Sequence, residues 1–410
     1  SAVTTSQSAK HLSTATMQRR TRITAMLGVA QTLSWASSYY LPAVLAEPIS
    51  SAVGMAYSTV FAAFSVALLV SAAIGPIAGR FIDRFGGRPI LIASNLVFSA
   101  GLVILSLATQ ASHVFLAWTV MGIAMGSGLY EAAFATVVRL YGQDARRAIT
   151  GITLFAGFAS TVGWPLSSYL AHEFGWREAC LAWALLHLLL GLPLNLLLPR
   201  AAEPAQGDEQ PAASPYDHSS SVGKPHRSTA YLMAYVFAVS WFISTAMAAH
   251  LPQLLQTTGA AIGVAIGAAA LVGPAQVAGR LVEYGFLKNA HPLLSAKLAI
   301  LAHPAAALCL YLIGAPAVSL FAVLHGLGNG ILTIAVGTLP LKVFGAQGYG
   351  QRQGWLMVPA RIVQAGSPFL FGMAVSHWAL GALWLSSMLG ITAFLALWAM
   401  RIQPRAASAS

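Results

Sequence analysis

The chain has 410 residues, 57% of them apolar and only 8% charged, with a mean hydropathy of +0.71. That balance lies outside the soluble globular range and describes a protein whose surface faces hydrocarbon. The formal charge of +11 would suit a nucleic-acid partner only if it formed a patch on a soluble module, and the sequence holds no such module.

Residues 1–21 are polar and lack the apolar core of a cleavable signal peptide, so they read as a cytoplasmic tail, with the first apolar run as an uncleaved anchor. Runs of about 20 apolar residues can cross a hydrocarbon layer roughly 30 Å thick. Twelve are expected: 22–46, 54–79, 89–110, 113–138, 147–171, 177–198, 228–255, 260–284, 292–313, 316–340, 353–376 and 379–400. The first six make one half (22–198) and the last six another (228–401). Between them residues 199–227, rich in Pro, Ala and Ser, read as a cytoplasmic linker, and 402–410 as a cytoplasmic tail. No run alternates with a strand period, so the fold is all-α and spans the membrane. The two cysteines, Cys180 and Cys309, fall in runs of opposite halves, which excludes a disulfide framework.

Loop charges set the orientation. Arg19, Arg20, Arg84, Arg88, Arg139, Arg146, Arg147 and Lys342 fall on one side, whereas the opposite loops carry only Arg177, beside Glu173 and Glu178. By the positive-inside rule both termini lie in the cytoplasm, with the protein in the cytoplasmic (inner) membrane. The net charge then reports topology and contact with anionic lipid.

The loop after the second run reads Gly79-Arg80-Phe81-Ile82-Asp83-Arg84-Phe85-Gly86-Gly87-Arg88. Its start returns in the second half as Gly279-Arg280-Leu281-Val282-Glu283, and a Gly-Pro pair precedes each (Gly75-Pro76, Gly273-Pro274). Ser34-Trp35 returns as Ser240-Trp241. At one constant offset of 203, Arg139, Gly142, Gly151, Gly163 and Pro165 return as Lys342, Gly345, Gly354, Gly366 and Pro368. On these residues the chain resembles the major facilitator superfamily, whose loop between helices 2 and 3 reads G-x-x-x-D-R-x-G-x-R. Gly79, Asp83, Arg84, Gly86 and Arg88 fill that pattern.

The resemblance implies twelve helices in two pseudo-symmetric halves, a substrate site between them and transport by alternating access. It implies a gate built from Gly79, Asp83, Arg84, Gly86 and Arg88, with Glu283 and Arg280 in the second half. Asp83 and Glu283 would face the positive N-terminal ends of helices 11 and 5, and Arg280 stays open between gate, snorkelling and cavity floor. Two features depart from family patterns. Trp118 stands where many proton-coupled members carry arginine, and Gly163-Trp164-Pro165 lacks the Gly-Pro pair of drug antiporters.

Two fixed charges lie deep in the runs. Glu131 is eight residues before Arg139 and Arg361 nine after Arg352, which puts each roughly 12–14 Å in at 1.5 Å per residue. A charge there costs at least ~2.5–3.5 kcal/mol, so it must face protein or water. The competing reading is a structural ion pair with no substrate contact. Polar stripes at helical spacing surround them: Gln31, Ser34, Trp35, Ser38 and Tyr39; Trp241, Ser244 and Thr245; His325, Asn329 and Thr333; Met357, Arg361 and Gln364. By the resemblance helices 1, 4, 7 and 10 line the cavity, and close helix packing is the alternative for each stripe. His250, His303 and His325 form no i, i+4 pair with His, Met or Cys, so no metal site is expected. His303-Pro304 reads as a kink with a hydrogen-bonded ring. His325 shares a face with other polar groups and is a candidate for substrate contact and proton coupling.

These features predict a secondary active transporter of a small organic solute bearing a carboxylate, working by proton symport. Arg361 would bind the anion with its planar fork. Glu131, Gln31, Trp35, Tyr39, Trp241, His325, Asn329 and Gln364 would complete the site, with Glu131 and His325 carrying the proton. The chain is similar to the monocarboxylate and organic-anion branch without sharing a diagnostic motif. Three alternatives remain: a proton-driven efflux pump for drugs or amphipathic metabolites, a carrier of zwitterions or metal chelates, and a receptor that kept the fold without transport. No enzyme activity, metal or cofactor is expected. The expected partners are the substrate, protons and membrane lipid, around a functional monomer.

Overall fold

The computed structural model describes residues 2–200 and 227–400, with side chains from Thr14 onward. Most of the expected linker and all of the expected tail at 402–410 lie outside the described residues. No strand occurs among the described residues.

Among the described residues, nine helical stretches are long and apolar enough to cross a membrane. Two of them, Ala111–Phe174 and Tyr349–Ala399, run to 64 and 51 residues. Either would far overreach a ~30 Å layer as a straight rod, and each folds back to cross twice. The first helix, with a more polar start, completes twelve. α1 is Ala2–Ala36 followed, after a turn at 37–41, by Pro42–Val53; α2 is Tyr57–Phe85 and α3 Gly87–Ser106. α4 is Ala111–Gly128 and Tyr130–Tyr141, and α5 is Arg146–Ala156 and Ala159–Phe174. α6 runs from Trp176–Leu186 through a wide turn at His187–Gly191 to Leu192–Leu196.

In the second half α7 is Arg227–Gln256, and α8 is Ile262–Ala270 and Val272–Val282 with a wide turn at Glu283–Leu287. α9 is Pro292–Ile313, α10 Val318–Phe344, α11 Tyr349–Trp378 and α12 Ala382–Ala399. The segment read as a tail is helical from Ala2, because neither glycine nor proline occurs before Gly28 to interrupt it.

Each half has its own apolar core, one centred on residues such as Phe98, Trp118, Phe134 and Trp183, the other on Phe237, Phe321, Leu339 and Phe371. The halves meet where α2 lies along α11, and where α5 approaches α8 and α10. Glycine makes the first contact close. A Cβ on Gly79 would fall 2.0 Å from the Gly350 carbonyl oxygen, and one on Gly354 2.5 Å from the Pro76 backbone. The end of the bundle carrying Arg84, Arg139 and Arg146 is called the basic end below. There Gly86 turns α2 into α3 at φ 82°, and Gly142 and Gly345 end α4 and α10 at φ 58° and 87°. That shared left-handed geometry is what the 203-residue offset between these two glycines encodes.

Candidate functional site

α4 breaks at Leu129, whose backbone is extended (φ −95°, ψ −158°), directly after Gly126-Ser127-Gly128. The Gly128 carbonyl so released accepts a 2.7 Å hydrogen bond from Gln31 Nε2 of α1. A buried carbonyl left without a partner would be costly, and this glutamine supplies one from another helix. The break starts a new helix at Tyr130, so Glu131 occupies its first turn, where the macrodipole favours a negative charge.

From the other half, α11 presents Arg361, only 5% exposed. Its Nη2 donates to Glu131 Oε1 at 2.5 Å and its Nη1 to Gln364 Oε1 at 2.9 Å. Gln364 Nε2 donates in turn to the Tyr39 hydroxyl at 3.2 Å. The guanidinium carbon lies 5.1 Å from the Trp241 ring centre. Trp241 is stacked on Trp35, with ring centres 6.4 Å apart and planes 3° from parallel. A small cavity of about 10 Å³ adjoins the pair, bordered by Ser71, Met125, Gly126 and Met357. It is about the size of one water molecule, so this conformation is closed around the pair.

Six of the nine side chains expected at a substrate site thus form one hydrogen-bonded and stacked group: Glu131, Arg361, Gln364, Tyr39, Trp35 and Trp241. Gln31 stands one step back, holding the broken helix. His325 lies apart from the group. Its ring turns into the second half, with Nδ1 3.0 Å from Nδ1 of His303, whose Nε2 is 2.8 Å from Ser386 Oγ. Asn329 is half-buried and its side chain bonds to none of the group among the described residues. Tyr130, packed 4.7 Å from Trp35 between ring centres, belongs to the group and is absent from the stripes read in the sequence. Its adjacency to Glu131 was the available signal.

At the basic end Asp83 accepts hydrogen bonds from the backbone N–H groups of Gly350 (2.7 Å) and Gln351 (2.9 Å), at the start of α11. On the symmetric side, Glu283 Oε1 accepts from Arg146 Nη2 at 2.6 Å, at the start of α5. Arg146 also donates to the carbonyls of Leu287 and Ala290. Arg280 is buried and donates to the Thr153 carbonyl of α5 at 2.9 Å. Arg88 donates to the Leu196 carbonyl of α6, while Arg84 is exposed beside the Phe85 ring. Sequence reading placed Arg146 only among the topology charges. Its partner lies 137 residues away, a pairing that no local spacing reveals.

The family model described as Major Facilitator Superfamily matches residues 27–303. Among solved structures, the fucose:proton symporter of E. coli aligns with a TM-score of 0.70 at 13% identity, over 93% of this chain and 98% of that one. The human organic anion transporter MFSD10 aligns with a TM-score of 0.68 at 16% identity, over 92% and 99%. Likeness at such identities carries the fold alone. Mouse monocarboxylate transporter 14 is 30% identical over 162 residues, 38% of this chain and 31% of that protein. An uncharacterized 38 kDa protein of Thermoproteus tenax is 32% identical over 156 residues, 38% of this chain and 40% of that protein. The chain thus spans well under half the length of the curated relatives it matches.

Proposed function

The chain belongs to the major facilitator superfamily, and from that membership we propose that it carries a small carboxylate-bearing anion across the cytoplasmic membrane together with a proton. It is a multi-pass membrane protein of a transporter family. The observation that carries the finer reading is the largely buried Glu131–Arg361 pair, one partner from each half, with only a small cavity beside it. A buried ion pair is weak evidence of stability, since desolvation offsets much of its attraction. Ionisable groups in the middle of a membrane protein instead mark substrate and proton paths.

The chemistry follows from the donor set. Arg361 keeps its charge and offers two parallel N–H groups, which suit the two oxygens of a carboxylate. An arriving anion takes the N–H that Glu131 holds. Glu131, stripped of its countercharge in a low-dielectric site, takes up a proton. The neutralised acid no longer ties α4 to α11, and the halves can rock about the bound solute. Mouse monocarboxylate transporter 14, one of the relatives matched in sequence, is named for the same class of solute. Asp83 and Glu283, each at the start of a helix of the opposite half, serve as the cytoplasmic latches of this cycle.

The test is uptake by purified protein in liposomes with an imposed pH difference. Carboxylate uptake should acidify the lumen. Arg361→Lys keeps the charge but loses the fork, and should weaken carboxylate binding by about tenfold or more. Failure of every carboxylate tried, with a lipophilic cation bound equally by the parent and by Arg361→Ala, would sink this reading in favour of efflux.

A further inference from the structure

The basic end holds a second group of cations, apart from the contacts between the halves. On α1, Thr16, Arg19, Arg20 and Ile23 recur at i, i+3, i+4 and i+7, which is one face of a helix. That face borders a cavity of about 420 Å³, completed by Arg139 and Tyr141 at the end of α4 and by Arg200 after α6. The volume falls within the ~300–1,000 Å³ of small-ligand clefts. Four guanidinium groups from three segments line it, and among the described residues no acid does. Arg19, Arg20 and Arg200 form no ion pair among the described residues. The Arg20 guanidinium carbon lies 4.6 Å from the Tyr141 ring centre. A cation held over a ring face spends none of its N–H groups on that contact. Like charges gathered around one cavity repel each other, and an anion inside it removes that cost.

We propose that this cavity binds a phosphate group, carried by an anionic phospholipid or by a free phosphate ester. A phosphate presents several charged oxygens at once, and guanidinium forks take such oxygens in pairs, whereas a lone carboxylate fills a single fork. The position of the cavity favours the lipid. The apolar runs of α1, α4 and α6 start or stop at residues 22, 138 and 198, each next to a residue that lines the cavity (Ile23, Arg139 and Pro199). The cavity therefore lies where hydrocarbon gives way to head groups. On the positive-inside reading this is the cytoplasmic leaflet, whose anionic lipids suit basic pockets between membrane helices. Arg139 also donates from Nε to the Asp83 carbonyl at 3.1 Å, and the Asp83 carboxylate holds N–H groups of α11. An occupant is thus one hydrogen bond away from a contact between the halves. The site is separate from the Glu131–Arg361 pair and does not depend on the solute assigned there.

The experiment titrates the purified full chain in neutral detergent with phosphatidylglycerol, with phosphatidylcholine of the same acyl chains, and with inorganic phosphate. Native mass spectrometry reads the lipid retained, and the melting temperature reads all three. Phosphatidylglycerol should be retained in preference to phosphatidylcholine and should raise the melting temperature. Replacing both exposed arginines of α1 (Arg19→Gln with Arg20→Gln) should weaken that binding by about tenfold or more, since each basic side chain near a membrane surface contributes on this scale. The control, Arg227→Gln with Lys288→Gln, removes the same charge from exposed positions elsewhere and should keep the parental affinity. A shift produced by inorganic phosphate, and lost in the α1 variant alone, supports the site and makes a soluble phosphate its source. Equal weakening in the control would show attraction to net charge without a site. That result, undiminished binding in the α1 variant, or no response of the parent to either phosphate source overturns the proposal.

Discussion

At the scale of single residues, Glu131 and Arg361 are tied by a 2.5 Å hydrogen bond, and the two possible truncations of the acid differ in what they strand. Glu131→Gln keeps an oxygen for Arg361 and removes the titrating group. It should fold, exchange solute between both sides, and fail to accumulate it against a gradient. Glu131→Ala leaves the buried guanidinium short of a partner and should cost about 3–5 kcal/mol of stability as well. Uphill uptake by the glutamine variant at the parental level would remove Glu131 from proton coupling. A second residue responds to pH outside the membrane. His291 caps α9 by accepting a 3.0 Å hydrogen bond from the Leu293 N–H on Nδ1. Burial, and after it Lys342, Arg146 and Lys297, hold its pKa below the ordinary 6.5. The folded chain therefore binds fewer protons there than the unfolded one, and stability is lost as pH falls through that range. The melting temperature should drop between about pH 7 and 5, and His291→Asn, which still caps, should flatten that part of the profile. An unchanged profile would deny the cap this role. The two membrane charges were legible in the sequence because a fixed charge in an apolar run must face protein or water rather than lipid. His325 was legible only by face. Helical spacing joins it to Asn329 but does not say which neighbour takes that face, and His303 of α9 takes the ring.

At the scale of elements, the twelve crossings were readable from run length, since a hydrocarbon layer imposes one length on every helix. The interruptions inside them were not. The extended residue Leu129 is tolerable because Gln31 of another helix satisfies Gly128, and the turn at 37–41 carries Ser37, whose hydroxyl lies 2.7 Å from His187 Nε2 of α6. Such partners exist only once the helices have packed. The α2–α11 contact gives a test at this scale. A methyl on Gly79 would meet the Gly350 carbonyl at 2.0 Å, backbone against a position that cannot rotate away. Gly79→Ala should force the two helices apart at the basic end, at a cost of ~1–3 kcal/mol to the closed conformation. Cysteine probes placed at that end should label faster and turnover should fall. Gly267→Ala, with nothing within 4 Å of the added carbon, is the matched control. Equal labelling of both variants would show that the close approach does not hold the halves.

At the scale of the whole molecule, the two halves touch at the basic end through two related contacts, an acid from one half at the first turn of a helix in the other. Asp83 binds backbone N–H groups of α11 directly, whereas Glu283 reaches α5 through Arg146. A carboxylate at a helix N-terminus contributes ~0.3–2 kcal/mol, enough to tip a balanced equilibrium between closed and open. Asp83→Asn should leave the protein folded, open the basic end and slow the cycle. Unaltered probe accessibility with unaltered transport would assign Asp83 no part in closure. The pairing of Glu131 with Arg361 also bears on electricity. With both ionised, the empty carrier holds no net charge at its centre. With an anion on Arg361 and a proton on Glu131, it holds none either. Moving one elementary charge through 100 mV involves ~2.3 kcal/mol, and in the proposed cycle neither the loaded nor the empty crossing moves one. Membrane voltage then neither drives nor brakes the carrier: accumulation should track the pH difference alone, unchanged when a potassium ionophore clamps the potential at zero, and an electrode should record no substrate current.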